Sequence, residues 1–502
     1  MQPPEWPARP AGAGAAPLDQ LRRACAGPLP HPDGEALHAL GRQALAWVLR
    51  HHASLPEQPV GRTASRGEME ALLREPPPEA GRDFAEVLAD FERKVVGHSF
   101  RPNHPRFLAF IPGAPAPLAV LGDLLCAGTN FFCGVWLEAA GPSQVELLVL
   151  DWFKQFLGCP RAAAGILTGG GSEANLTALV VARERLSYED RGRAVLYLSE
   201  HRHWSVDRAA KVIGLRPDQL RPVPADDRFR LDPAALAGAV RQDREAGRLP
   251  WVVVANAGAT NTGTVDPLAA LAELCAREGL WLHVDAAYGW AAALTPEGRA
   301  ELDGIGRADS ITLDPHKWFG QTFEAGGLLV RDGRLLGRTF ALRPEYMQDV
   351  EPGRDEVNFC DHGIALTRRF RALKIWLTVK VLGVAWFRGL VDHCCRLADY
   401  GQALLEASPA FEVVCPRQLS IVCFRHVPAG FRPRTEEDER RLDQLNLGLV
   451  EALRRTGRAF VSSTRLRGRV ALRLCFVNWR TTAADVDEVV RLLGELAGRN
   501  VP

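Results

Sequence analysis

Residues 310–320 read SITLDPHKWFG: a short β-branched run, an aspartate, and then Lys317 directly before the aromatic pair Trp318-Phe319. Lysine is rarely buried unless something pairs with it, so the plain reading is a solvated loop residue after a strand. What the rest of the chain places at comparable positions decides whether that reading holds.

Outward from this stretch, apolar runs recur at AGILT (164–168), AVLYLS (194–199), WVVVANAG (251–258), LWLHVDAA (280–287) and GGLLVRD (326–332). Helical patterns separate most of them: SEANLTALVVARERL, SVDRAAKVIG, DPAALAGAVRQDREAG and DPLAALAELCAREG. Near-continuous apolar strands alternating with helices predict an α/β fold with a large, mainly parallel sheet covered on both faces. After a long helix near RRFRALKIWLTVKVLG (368–383) the character changes. FEVVC, LSIVCFR, RAFVSS and RVALRLCFV predict strands of a smaller sheet, closed by the amphipathic helix AADVDEVVRLLGELAG. The expected organisation is a mobile Pro/Ala-rich tail (1–32), an N-terminal helical segment (33–117), a large domain (118–375) and a small C-terminal α+β domain (376–502).

At 502 residues the chain is too long for one ordinary core, and its 47% hydrophobic and 24% charged content is that of a globular protein. A net charge of +1 gives no broad field to recruit nucleic acid or an anionic membrane. The first residues lack the basic start and apolar core of a secretory signal. The apolar stretch 119–141 is interrupted by Asp123, Asn130 and Glu138, which predicts a buried helix or an interface and no membrane span. Eleven cysteines without Cys-x-x-Cys or zinc-like spacing predict reduced thiols in a cytoplasmic chain and support no metal site.

In open parallel sheets, ligands gather beyond the carboxyl ends of the strands. Here those ends read LTGGGSE, SEHRHWS, NAGATNTG, HVDAAYG and LDPHKW. The glycines before Ser172 let backbone N–H groups approach an anion at a helix mouth, although a plain turn with Ser172 as helix cap has the same sequence. Neither the Walker nor the Rossmann glycine spacing is present. Asp285 ends an apolar strand, where a carboxylate needs a partner: an N-cap, an arginine, or a cationic ring nitrogen. Together these requirements are those of pyridoxal phosphate, which needs a lysine for its aldehyde, an acid for its ring nitrogen, donors for its phosphate and a flat side chain against its ring. Lys317, Asp285, Gly171 with Ser172, and His203 supply them in turn.

In HVDAAYG and DPHKW, in this order, and in HPRFLAFIPG through RRFRALKIW, the chain resembles the pyridoxal-phosphate-dependent group II decarboxylases that include aromatic-L-amino-acid decarboxylase. The resemblance implies fold type I of the pyridoxal-phosphate enzymes, and a homodimer clasped by N-terminal helices with its active sites at the interface. It makes Lys317 the cofactor's covalent anchor, Asp285 the acid at the ring nitrogen and Ala287 the small residue against the ring. His203 becomes the stacked histidine, Gly171 and Ser172 the phosphate pair, and Thr260 and His316 neighbours of the cofactor. Tyr346, in LRPEYMQDV, resembles the loop tyrosine that protonates the α-carbon, a position commonly phenylalanine in the aldehyde synthases. Phe110, Ile111, Pro112 and Trp136 resemble pocket segments and favour an aromatic or bulky L-amino acid. Asp314 departs from the animal enzymes, which carry asparagine there.

The implied activity is decarboxylation of an L-amino acid to its amine. Rival readings are decarboxylation of an acidic or diamino acid such as glutamate or 2,4-diaminobutyrate, aldehyde synthesis, and aminotransferase or lyase chemistry on the same scaffold. A non-catalytic descendant would be expected to lose Lys317, His203 or Tyr346, and all three are present.

Overall fold

The computed structural model describes residues 18–27, 31–111, 113–342, 353 and 355–499. The chain divides into two compact units, Met1–Arg101 and Pro102–Pro502. In the first, helices span Leu18–Ala24, Gly34–Ala53, Arg66–Leu73 and Phe84–Asp90. The first of these falls inside the segment read as a tail, of which residues 1–17 and 28–30 lie outside the described residues. Asp33 caps the second helix by accepting from Ala36 N at 2.8 Å, and Ser65 with Glu68 forms a capping box on the third. The Gly34–Ala53 helix buries none of its residues, and Leu37, Leu45 and Leu49 are exposed.

The second unit is built on a seven-stranded sheet: β1 (Ala164–Thr168), β2 (Ala194–Ser199), β3 (Leu220–Val223), β4 (Leu249–Asn256), β5 (Trp281–Asp285), β6 (Ser310–Leu313) and β7 (Gly326–Val330). Their order is β1-β7-β6-β5-β4-β2-β3. The pairs β6/β5, β5/β4, β4/β2 and β2/β3 are parallel. β7 is antiparallel to both β6 and β1. Two reversals restore direction, so β1 ends on the same edge as β2, β4, β5 and β6. β2, β5, β6 and β7 are buried along their full length, as continuous apolar strands require. β3 was not anticipated from the sequence; it is four residues long and contains Pro222, both tolerated at a sheet edge.

A second, antiparallel sheet runs β10-β11-β9-β8 from β8 (Phe411–Gln418), β9 (Ile421–His426), β10 (Ser462–Leu466) and β11 (Arg469–Cys475). The strand expected at RAFVSS begins only at Ser462, because the preceding backbone bonds elsewhere. Phe460 N donates to the Arg106 carbonyl, and Leu108 N donates to the Phe460 carbonyl at 2.8 Å. The long helix Ala372–Glu406 continues across position 375/376 and breaks at Gly383, whose φ of 75° a side chain would disfavour. Among the described residues no helix is long and apolar enough to cross a membrane.

β1 is an edge strand whose outward backbone groups need partners. Glu146 Oε1 accepts from Leu167 N at 2.9 Å, and Arg368 donates to the Leu167 carbonyl at 2.9 Å. The two side chains pair with each other at 2.5 Å and are almost wholly buried, at 1% and 0% exposure. Arg368→Ala should therefore destabilise the fold by about 3–5 kcal/mol by leaving a buried carboxylate unpaired. The double variant Glu146→Gln/Arg368→Gln should lose less, read as denaturant midpoints; equal losses would show that charge isolation is not the cause.

Candidate active site

The carboxyl edge of the large sheet opens into a cavity of about 420 Å³ lined from five strand ends. That volume falls within the roughly 300–1,000 Å³ common for small-molecule and cofactor sites. β1 leads to Gly169, Gly170, Gly171 and Ser172, and β2 leads to His203. β4 contributes Asn256, Gly258 and Thr260, β5 Asp285, Ala287 and Tyr288, and β6 Asp314, His316 and Lys317. The structure thus brings together Lys317, Asp285, His203, Gly171, Ser172, Thr260, Ala287 and His316. Phe110, Ile111 and Trp136 are not among the lining residues: Phe110 is exposed with φ 58°, Ile111 packs on the core, and Trp136 opens the Trp136–Leu157 helix. Pro112 and Tyr346 lie outside the described residues.

One end of the cavity is made by backbone. The Gly171–Arg183 helix begins at the glycine turn, so its unpaired N–H groups and partial positive charge face the space. Side chains have no room here: a Cβ on Gly171 would sit 2.9 Å from Asp314 Oδ2, and one on Gly170 3.3 Å from His316 Cε1. Lys317 Nζ pairs with Asp314 Oδ2 at 3.1 Å. His316 Nδ1 accepts from Ala325 N at 3.2 Å, which leaves its proton on Nε2, 3.7 Å from the same Asp314 oxygen. Burial lowers the His316 pKa, with Asp314 opposing.

At the other end Asp285, only 7% exposed, accepts from Asn175 Nδ2 at 2.9 Å and from Ala287 N at 3.1 Å. His203 Nδ1 is held by the Ser205 hydroxyl at 2.7 Å and by Ser205 N at 3.2 Å. Burial lowers the His203 pKa, Asp285 opposes the shift and Lys317 adds to it. Buried Arg473 donates to the carbonyls of Thr260 and Asn261 and to Ser462 Oγ, fixing the β4 loop.

The residues fit pyridoxal phosphate on grounds of this structure. A glycine turn where added Cβ atoms would crowd Asp314 and His316 suits a phosphate, the Lys317 amine stands beside Asp314, and a buried carboxylate with two N–H donors suits a cationic ring nitrogen. Two residues of the lining carry a buried polar atom without a hydrogen-bond partner among the described residues, Asn256 at Nδ2 and Asp314 at Oδ1.

Sequence reading missed Asn175, Ser205 and His283. Asn175 lies on the buried stripe of its helix, where a polar residue among alanines and leucines is the available signal. Trp281, His283 and Asp285 share one face of β5 by the two-residue period. His283 is wholly buried between Ser310 Oγ at 2.8 Å and Asn175 Oδ1 at 3.0 Å.

Comparison with known proteins gives a consistent picture. The family model for the pyridoxal-dependent decarboxylase conserved domain matches residues 67–427. An aromatic-L-amino-acid decarboxylase of Bacillus atrophaeus is 41% identical over 464 residues, covering 92% of this chain and 96% of that protein. A phenylacetaldehyde synthase of Arabidopsis thaliana is 30% identical over 478 residues, covering 93% and 96%. The crystal structure of Oryza sativa TDC with PLP and tryptamine aligns with a TM-score of 0.89 at 30% identity, covering 94% of this chain and 99% of that one.

His283 also has a measurable consequence for stability. Burial pushes its pKa from 6.5 down to about 4, with Asp285 opposing. The folded protein keeps it neutral while the unfolded chain protonates it, so its contribution is complete above pH 6.5 and is lost as pH falls towards 4. His283→Gln should flatten the fall in melting temperature across that window; an unchanged slope would show that His283 does not carry it.

Proposed function

The chain belongs to the pyridoxal-dependent decarboxylase family, and from that premise we propose that it converts an aromatic L-amino acid to its amine and carbon dioxide. The observation that carries this reading is the placing of Lys317, Asp285 and His203 around one cavity that the glycine turn also lines. Pyridoxal phosphate, when bound, supplies an aldehyde for the substrate's amine and a ring that accepts the electron pair left by the departing carboxylate.

The chain's own residues do the rest. Lys317 would hold the aldehyde, and the glycine turn with Ser172 the phosphate. Asp285, whose carboxylate accepts from two N–H donors, would face the ring nitrogen and hold the proton there. His203 presents Nε2–H to the cavity because Ser205 occupies Nδ1. Ala287 leaves room for the ring, while Thr260 and His316 flank it. Tyr346 is our candidate for delivering a proton to the α-carbon, on the strength of its sequence context. Phe110, Ile111, Pro112 and Trp136 remain candidates for the side-chain pocket, completed by a second subunit.

An aromatic substrate is supported by the Bacillus atrophaeus relative. The Arabidopsis thaliana relative keeps aldehyde synthesis as a second reading. Exposed Leu124, Phe131 and Leu137, with the unburied Gly34–Ala53 helix, support a homodimer. The eleven dispersed cysteines, without Cys-x-x-Cys spacing, support a reducing cytoplasm.

Assay of a panel of aromatic, acidic and diamino acids for carbon dioxide and amine should give turnover with aromatic substrates; release confined to glutamate or diaminobutyrate would overturn the substrate assignment. Lys317→Ala should lose both activity and the visible band of the bound cofactor, and a retained band would remove its role. Tyr346→Phe, assayed with dioxygen as the oxidant, should shift the product from amine towards aldehyde, ammonia and hydrogen peroxide; undiminished amine would exclude the tyrosine. Light scattering should return twice 55.0 kDa for a dimer.

A further inference from the structure

The polar residues behind Asp285 form a hydrogen-bond series with one consistent direction. Trp281 Nε1 can only donate, and it donates to Ser310 Oγ at 2.9 Å. The Ser310 hydroxyl hydrogen is then left for His283 Nδ1, so the imidazole proton sits on Nε2 and is donated to Asn175 Oδ1. With its oxygen so engaged, Asn175 turns its amide nitrogen to Asp285 Oδ2 at 2.9 Å and to Ser205 Oγ at 3.0 Å. The Ser205 hydroxyl hydrogen goes on to His203 Nδ1. Reversing the amide would set an oxygen against the Asp285 carboxylate and N–H against the His283 N–H, two repulsions inside the core.

We infer that Asn175 is a positioning residue for the ring end of the cofactor: its single amide nitrogen sets the carboxylate of Asp285 and also holds the Ser205 hydroxyl beside His203. The Trp281–Ser310–His283 series fixes which way that amide points. The inference rests on the reading of Asp285 as the partner of the ring nitrogen. It adds that the acid's competence is conferred from the helix behind it.

The test is a comparison of two ligands on the full chain freed of cofactor: pyridoxal phosphate, and its 1-deaza analogue with carbon in place of the ring nitrogen. Dissociation constants come from absorbance or fluorescence titration, without turnover. Asn175→Ala should weaken pyridoxal phosphate about ten-fold, as loss of one hydrogen bond to a charged group would, and leave the analogue unchanged. His283→Leu, which frees the amide to turn, should show the same selectivity. His283→Gln, whose amide nitrogen can take the place of Nε2, should restore it.

Equal weakening of both ligands, or of neither, overturns the inference, and the two His283 variants decide it if Asn175→Ala fails to fold. Asp285→Asn is measured alongside. If it fails to discriminate between the ligands, the reading of Asp285 itself falls; if it discriminates and Asn175→Ala does not, only the present inference falls.

Discussion

A carboxylate buried at the end of an apolar strand is the constraint on which this structure depends. Removing Asp285 from water carries a desolvation cost that only hydrogen bonds and a facing cation can offset. The protein supplies two N–H donors, one from the Asn175 side chain and one from the backbone two residues on. In the proposed function, the cationic ring nitrogen of the cofactor would be the remaining partner. The sheet makes this possible by ending β4, β5 and β6 in register, so that Asn256, Asp285 and Thr312 emerge side by side.

The parts legible in the sequence were those with a local signature. Continuous apolar runs such as VLYL and WVVVA mark strands buried on both faces, and β1, β2, β6 and β7 begin where those runs were read. Asp285 was legible because a carboxylate ending an apolar strand needs a partner, and Lys317, four residues beyond the end of β6, only through the company of the other strand ends. Asp314 was visible as a departure, and the structure gives it two neighbours, Lys317 and His316.

What was not legible depends on pairing between distant segments. His283 reads as a residue within an apolar strand, and nothing local says that Ser310 lies opposite it or that Asn175 approaches from a helix 108 residues earlier. β3 carries a proline and half-buried side chains, so no apolar run announces it. At RAFVSS the β-propensity is real, but the bonds of Phe460 to Arg106 and Leu108 take the backbone before the sheet can.

The two ends of the cavity are built by different physics, and this sets how each tolerates change. The anion end is backbone: its donors come from a helix start, and no side chain there has to be chosen except for being absent. A Cβ on Gly171 would meet Asp314, and one on Gly326 of β7 would lie 2.4 Å from the Gly170 backbone, so that end fails by overcrowding. The ring end is a series of side chains, each defined by the hydrogen its neighbour leaves over, and it fails by loss of direction while the packing survives. A substitution at the glycine turn should therefore cost fold and cofactor together, whereas one at Trp281, His283 or Asn175 separates them. Such a separation would mark the buried polar stripe of β5 as machinery for the site, because a polar cluster needed only for folding would have been better replaced by apolar packing.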